Sequence, residues 1–86
     1  MTVRAYCETC GSYPDEVIVY PVIGETDDHE LITDATGVII YGDGTCSNRY
    51  ADGTKGVTPE VCAMAEDEES AYCPECMNEI TWQHPA

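Results

Sequence analysis

Apolar residues along the chain fall in short runs separated by glycines and acidic residues, the rhythm of a small sheet rather than a helical bundle. Residues 1–6 read as a short strand. Residues 16–23 contain Val17, Ile18, Val19, Tyr20, Val22 and Ile23, a β-branched and aromatic run that predicts a second strand, with Pro21 restricting it to an edge or a bulge. Residues 24–28 form an acidic turn. His29, Leu31 and Thr33 then alternate with Glu30 and Ile32, too briefly to choose a buried face, before residues 34–37 turn the chain again. Val38, Ile39, Ile40 and Tyr41 are the most apolar run and are expected at the sheet centre, antiparallel to the run around Val19. Asp-Gly turn signals at Gly42-Asp43-Gly44 and Asp52-Gly53 bracket residues 45–51, predicting a hairpin with Cys46 and Tyr50 on its return strand.

The periodicity changes after residue 57. Thr58-Pro59-Glu60 combines an N-cap hydroxyl, a proline at the first helical position and an acid favoured by the macrodipole. Val61, Met64 and Ala65 are expected on one face, with Cys62 beside them. Acids at residues 66–69 oppose the dipole at the other end, so the helix should stop near Asp67. Residues 79–83, with Ile80 and Trp82, read as a closing strand. Internal repetition is expected only in the cysteine pairs described next, and no low-complexity linker divides the chain. The expected fold class is small α+β.

Two cysteine pairs stand at opposite ends of this pattern, Cys7-Glu8-Thr9-Cys10 and Cys73-Pro74-Glu75-Cys76, with 62 residues between Cys10 and Cys73. A two-residue spacer lets both sulfurs of a knuckle face one ion, and a tetrahedral four-cysteine set suits zinc or a single iron. Gly11 follows the first pair, where tolerance of positive φ lets backbone amides turn toward sulfur. The run Tyr6-Cys7-Glu8-Thr9-Cys10-Gly11-Ser12-Tyr13 resembles the first knuckle of zinc ribbons and rubredoxins. Cys73-Pro74-Glu75-Cys76 resembles the second, although Met77 stands where those families usually have glycine. The resemblance covers residues 6–13 and 73–76 only. It implies a metal held by Cys7, Cys10, Cys73 and Cys76, zinc ahead of iron, in a ribbon joining the two terminal regions around a central antiparallel sheet and one short helix. The whole is expected to be one zinc-stapled domain over residues 1–86, with knuckles at 6–13 and 72–77 and an insertion at 14–71.

Size supports a staple, since 86 residues bury too little apolar surface to be comfortable alone. A structural zinc contributes an apparent ~10–16 kcal/mol, against a net stability of ~5–15 kcal/mol for an ordinary domain. Folding and metal binding are therefore expected to be one event.

Charge alters the picture further. Seventeen Asp and Glu against Arg4, Arg49 and Lys55 give a formal net charge of −14, and four new thiolates would outweigh a bound dication. Self-repulsion opposes compaction in dilute buffer, whereas at molar salt the Debye length is about 3 Å and neighbouring carboxylates scarcely interact. With one lysine and no phenylalanine, the composition resembles that of proteins from salt-in halophiles, especially haloarchaea and their viruses. That resemblance implies a high-salt cytoplasm or a virion as the setting; an acidic interaction protein of an ordinary cytoplasm is the other reading. Three basic residues cannot neutralise many phosphates, which argues against nucleic acid. No stretch is long and apolar enough for a membrane span, and the basic-then-apolar order of a secretory signal is lacking, so a soluble chain is expected.

Other chemistry finds less support. CPxC is also a thiol–disulfide exchange motif, but such pairs sit at a helix N-terminus with most of the fold still to come, whereas ten residues follow Cys76. The glycine-rich acidic turns lack the spacing of a calcium loop. Cys46 and Cys62 have no close partner in sequence. We rank buried thiols first, then one disulfide between hairpin and helix, then a second metal site with His29 and His84. His84 is expected to be exposed rather than a ligand. Trp82, the tyrosines, Met64 and Met77 are expected mostly to fill the core, and any exposed members to mark a partner surface.

A catalytic zinc keeps an open position and usually includes histidine or carboxylate ligands; four cysteines would close it, and no nucleophile–base pair is evident. The expectation is a non-catalytic structural or protein-interaction module, an accessory subunit of a larger halophilic assembly such as a viral capsid or tail, with protein partners. A small zinc-finger regulator contacting nucleic acid or transcription machinery is the first alternative. A rubredoxin-like electron carrier is the second.

Overall fold

A computed structural model describes residues 3–68 and 70–84. It contains strands β1 (Arg4–Tyr6), β2 (Glu16–Val19), β3 (Val22–Glu25), β4 (Leu31–Thr33), β5 (Val38–Tyr41) and β6 (Cys46–Tyr50), helix α1 (Pro59–Asp67), and strands β7 (Ala71–Tyr72) and β8 (Thr81–Gln83). The parts of the expected elements that fall on Met1, Thr2 and Glu69 lie outside the described residues. The fold is small α+β, as its patterning suggests, but its strands form three antiparallel groups. A central sheet has the order β6-β5-β2-β7, and two ribbons pair β1 with β8 and β3 with β4.

The centre forms as the apolar pattern dictates. β2 and β5 pair with Val19 opposite Val38 and Val17 opposite Ile40, and these four side chains are all but fully buried. Ile18 and Ile39, on the opposite face, are half-buried. The core is otherwise made of small residues, Ala5, Val57, Ala65, Ala71 and cysteines, with Ile80. Tyr50 and Trp82 pack against it half-buried, but most tyrosines and the methionines Met64 and Met77 do not fill it. Tyr13, Tyr41, Met64 and Met77 are exposed, because short strands on a chain this size leave too little interior for long side chains.

Pro21 changes the expected second strand more than patterning suggests. It is buried at a break that cuts the run in two. β2 stops at Val19 and lies inside the central sheet rather than at its edge, while β3 leaves for a separate ribbon. The missing proline N–H forbids one continuous ladder, and the Pro21 carbonyl instead accepts the Asp34 N–H at 3.0 Å.

The hairpin reading of residues 42–53 holds, with a repeat that the sequence reading missed. Tyr41-Gly42-Asp43-Gly44-Thr45 and Tyr50-Ala51-Asp52-Gly53-Thr54 form matching turns. In each, the tyrosine N–H donates to the threonine carbonyl, at 2.8 and 2.7 Å, and the glycine N–H returns to the tyrosine carbonyl, at 2.8 and 2.9 Å. The aspartate carboxylates accept the Thr45 and Thr54 amides at 3.0 and 2.9 Å, using the acids to hold turns rather than a cation. The Thr45 hydroxyl and amide hold Asp43, and the Thr54 amide and hydroxyl hold Asp52, below the ordinary value of 3.8. Lowered folded values mean that this support is fully present above that value and is lost as pH falls below it through the lower folded values.

Helix α1 starts where expected. The Thr58 hydroxyl accepts the Val61 N–H at 3.3 Å and proline occupies the first turn. The helix buries Cys62 and Ala65 but leaves Met64 exposed, so its inward stripe is narrower than the expected Val61, Met64 and Ala65. Cys46 and Cys62 form a disulfide between β6 and α1, their Cα atoms 5.7 Å apart. This overturns the ranking that put free thiols first. β6 carries Cys46 to the helix from 16 residues away, a proximity no local motif announces.

Gly42 ties the β1–β8 ribbon to the central sheet. Its carbonyl accepts the Ala5 N–H at 2.9 Å and its N–H donates to the Asp15 carbonyl at 2.7 Å. A Cβ at this position would lie 2.6 Å from the Pro14 carbonyl oxygen, so backbone would have to move. Gly42→Ala should cost ~1–3 kcal/mol, read as a lower denaturant midpoint. Replacing Cys46 and Cys62 together with alanine should cost about 3 kcal/mol for a loop of this length. Consistent with the pairing, alkylation of the unfolded, demetallated chain should label four thiols before reduction and all six cysteines after it.

Candidate metal centre

The two knuckles are tips of two hairpins. The first lies between β1 and β2, the second between β7 and β8; β1 pairs with β8 and β2 with β7, so the pattern is unchanged when the knuckles are exchanged. The local hydrogen bonds obey the same relation. The Cys7 N–H donates to the Ser12 carbonyl at 2.9 Å, and the Cys73 N–H to the Asn78 carbonyl at 3.0 Å. Gly11 N–H closes onto the Cys7 carbonyl at 2.8 Å, and Met77 N–H onto the Cys73 carbonyl at 2.7 Å. Met77 therefore does what glycine does in the first turn. Its φ is 59° against 66° at Gly11, a left-handed conformation that an L side chain adopts at a cost.

Cys7, Cys10, Cys73 and Cys76 are brought together with their sulfurs all within 4.8 Å of one another. Cys7 Sγ lies 3.6 Å from Cys76 Sγ, and Cys10 Sγ 3.9 Å from Cys73 Sγ. A tetrahedron with metal–sulfur bonds of ~2.3 Å has edges of about 3.8 Å, so the set fits zinc without rearrangement of the chain. Cys7 and Cys73 are buried, Cys76 is half-buried and Cys10 is exposed, which leaves one side of the cluster facing solvent.

The thiols are chemically unequal. The Asn78 backbone N–H, outweighing partial burial, lowers Cys76 to about 7. Hydrogen bonding to Cys7 and Cys76 pushes Cys10 up to about 12. At Cys7 the Cys10 N–H, which approaches its sulfur at 3.4 Å, favours thiolate, but burial and the bond to Cys76 outweigh it and raise the value. Cys76 thus releases its proton readily, while Cys7 and Cys10 hold theirs more tightly than free thiols. Backbone N–H groups on sulfur are the second-layer support that a thiolate–metal site requires.

The other candidates are placed elsewhere. His29 is exposed beside Glu25, with Nδ1 3.2 Å from its carboxylate. His84 is exposed on the rim of a cavity that also touches Trp82. Cys46 and Cys62 hold each other, so the second metal site considered with the two histidines does not form. Ser12 and Asn78 went unremarked in the sequence, although each stands five residues after the first cysteine of its knuckle.

Relieving the left-handed strain should be measurable. Met77→Gly should raise the stability of the metal-loaded protein by about 1 kcal/mol, the strain removed less the entropy glycine adds to the unfolded chain. Gly11→Met should lower it, both read from denaturation midpoints in excess zinc. Comparison of the chain with protein-family models, with curated proteins and with solved structures found no match; the cluster of Cys7, Cys10, Cys73 and Cys76 is consistent with a zinc knuckle.

Proposed function

We propose that this chain is a non-catalytic structural or protein-interaction module, folded around one zinc ion and serving as an accessory subunit of a larger assembly in a high-salt cytoplasm or virion, such as a viral capsid or tail. The observation that carries the reading is the closed ligand set. Four sulfurs from two hairpins supply every position of a tetrahedron, leaving none for a substrate, whereas catalytic zinc keeps one open. When bound, zinc would supply cross-linking and charge compensation. The residues around it orient sulfur and shield it.

Basic groups support the preference for protein over nucleic acid. Arg4 lies over the Tyr13 ring, 3.9 Å from its centroid, and Arg49 pairs with Glu16. Two of three basic side chains are thus engaged within the chain, on a surface of high negative charge. The same four thiolates also suit a single iron, the ligand set of an electron carrier.

Elemental analysis of protein purified in high salt should give one zinc per chain and no thiolate-to-iron absorption in the visible range. Chelation under mildly denaturing conditions should remove the metal and unfold the β1–β8 ribbon, as seen by native mass and circular dichroism. Stoichiometric iron with visible bands would favour the carrier, and an unchanged fold after complete metal removal would overturn the staple. Cross-linking in the native source should join the chain to other proteins; cross-links only to nucleic acid would favour the regulator.

A further inference from the structure

The β3–β4 ribbon is the least covered apolar element of the molecule. Ile23, Leu31 and Ile32 are 47 %, 66 % and 43 % exposed, and every residue of β4 is exposed. A two-stranded ribbon is marginal in water without a third strand or a covering layer. Its backbone shows where a third strand fits. The Glu30 carbonyl accepts the Thr26 N–H at 2.8 Å and the Asp34 N–H donates to Pro21 at 3.0 Å, so these positions face β3. Alternation along the strand places Ile32 with them and turns the N–H and C=O groups of Leu31 and Thr33 outward. Among the described residues no backbone bond from outside the ribbon reaches either.

Charge selects the occupant. Residues 22–34 carry Glu25, Asp27, Asp28, Glu30 and Asp34 with no lysine or arginine. A second copy would set two such acidic ribbons edge to edge, and carboxylates pressed together and partly out of water repel even where salt screens those that stay solvated. At the foot of the ribbon, Thr33 opens on a cavity of about 400 Å³ walled by Tyr20 and Tyr72, with Glu68 on its rim. Aromatic walls beside a carboxylate suit the stem and head of a basic side chain.

Resting on the protein-binding reading above, we infer that the free edge of β4 is a docking edge for an extended segment of a different protein, with apolar residues alternating with lysine or arginine. The segment adds as a third strand, its backbone pairing with Leu31 and Thr33, its apolar side chains covering Ile32 and its basic side chains on the face that Leu31 shares with Thr33, one of them reaching Glu68.

The test uses the zinc-loaded full chain at the lowest salt at which it stays folded, and two labelled hexapeptides, one alternating valine with lysine and one alternating valine with glutamate. Fluorescence anisotropy should show binding of the lysine peptide alone, with amide chemical-shift changes centred on Leu31 and Thr33. Leu31→Pro removes an outward donor and Leu31→Lys keeps it while setting a like charge against the basic side chains of the segment; each should weaken binding roughly tenfold or more, and the second guards against a ribbon unfolded by proline. Equal binding of both peptides, shifts centred elsewhere, or an unaffected Leu31→Lys variant would overturn the inference, as would no binding to a folded ribbon. A dimer abolished by Leu31→Lys would overturn it in favour of a second copy. Native cross-links to a partner through residues outside 22–34 would remove this surface while leaving the module reading intact.

Discussion

Four thiolates within 4.8 Å of one another would repel strongly without a cation among them, and the architecture of this chain is what brings the four sulfurs to that spacing. Two hairpins, far apart in sequence, have to meet tip to tip for the sulfurs to converge. Their flanking strands then pair, β1 with β8 and β2 with β7. The second of these pairings carries the knuckles into the central sheet, and Gly42 stitches the first to it. The unequal thiols show the same condition at the level of protons: Cys76 ionises near neutrality while Cys10 is held at about 12.

The remainder of the chain is organised to need little interior. No charged or polar residue is buried among those described, and the core is built from valines, isoleucines, alanines and cysteines. Such a core is thin, and covalent or coordinate links compensate for it. The disulfide fixes α1 to β6 on one side of the sheet while the cysteine cluster gathers the other. The acids that might have burdened so small a domain are placed at the surface, and Asp43 and Asp52 are spent on holding turns.

What the sequence made legible was local. The knuckles, the Thr58 cap, the Asp-Gly turns and the Val19–Val38 pairing each rest on a few neighbouring residues or on one apolar run. What it hid depended on distance or competition. The Cys46–Cys62 bond needs β6 and α1 to be placed first. Pro21 had two readings, edge or bulge, and both apply to β3, which follows it as an edge strand with a register shift between Val22 and Gly24, whereas β2 before it is internal. Met77 looked like a defect in its turn, yet the Cys73 carbonyl and Asn78 hold it in the conformation that glycine would adopt freely. The repeated Tyr-x-Asp-Gly-Thr turn was readable and simply required comparing residues 41–45 with 50–54.

The interchangeability of the two knuckles also bears on how a metal would be acquired. Each hairpin alone is a half-site with two sulfurs, and an ion captured by one has no chemical means of telling its own chain's second hairpin from a neighbour's. What discriminates is proximity: through the 63-residue separation of Cys10 and Cys73, the tethered half-site competes at an effective concentration on the order of millimolar or below. Assembly in dilute solution would therefore close an ion within one chain. In a crowded compartment where the chain is made in quantity, the same chemistry would link first knuckles to second knuckles between molecules, and the disulfide and β2–β5 pairing, by drawing the two halves together beforehand, keep the ion at home.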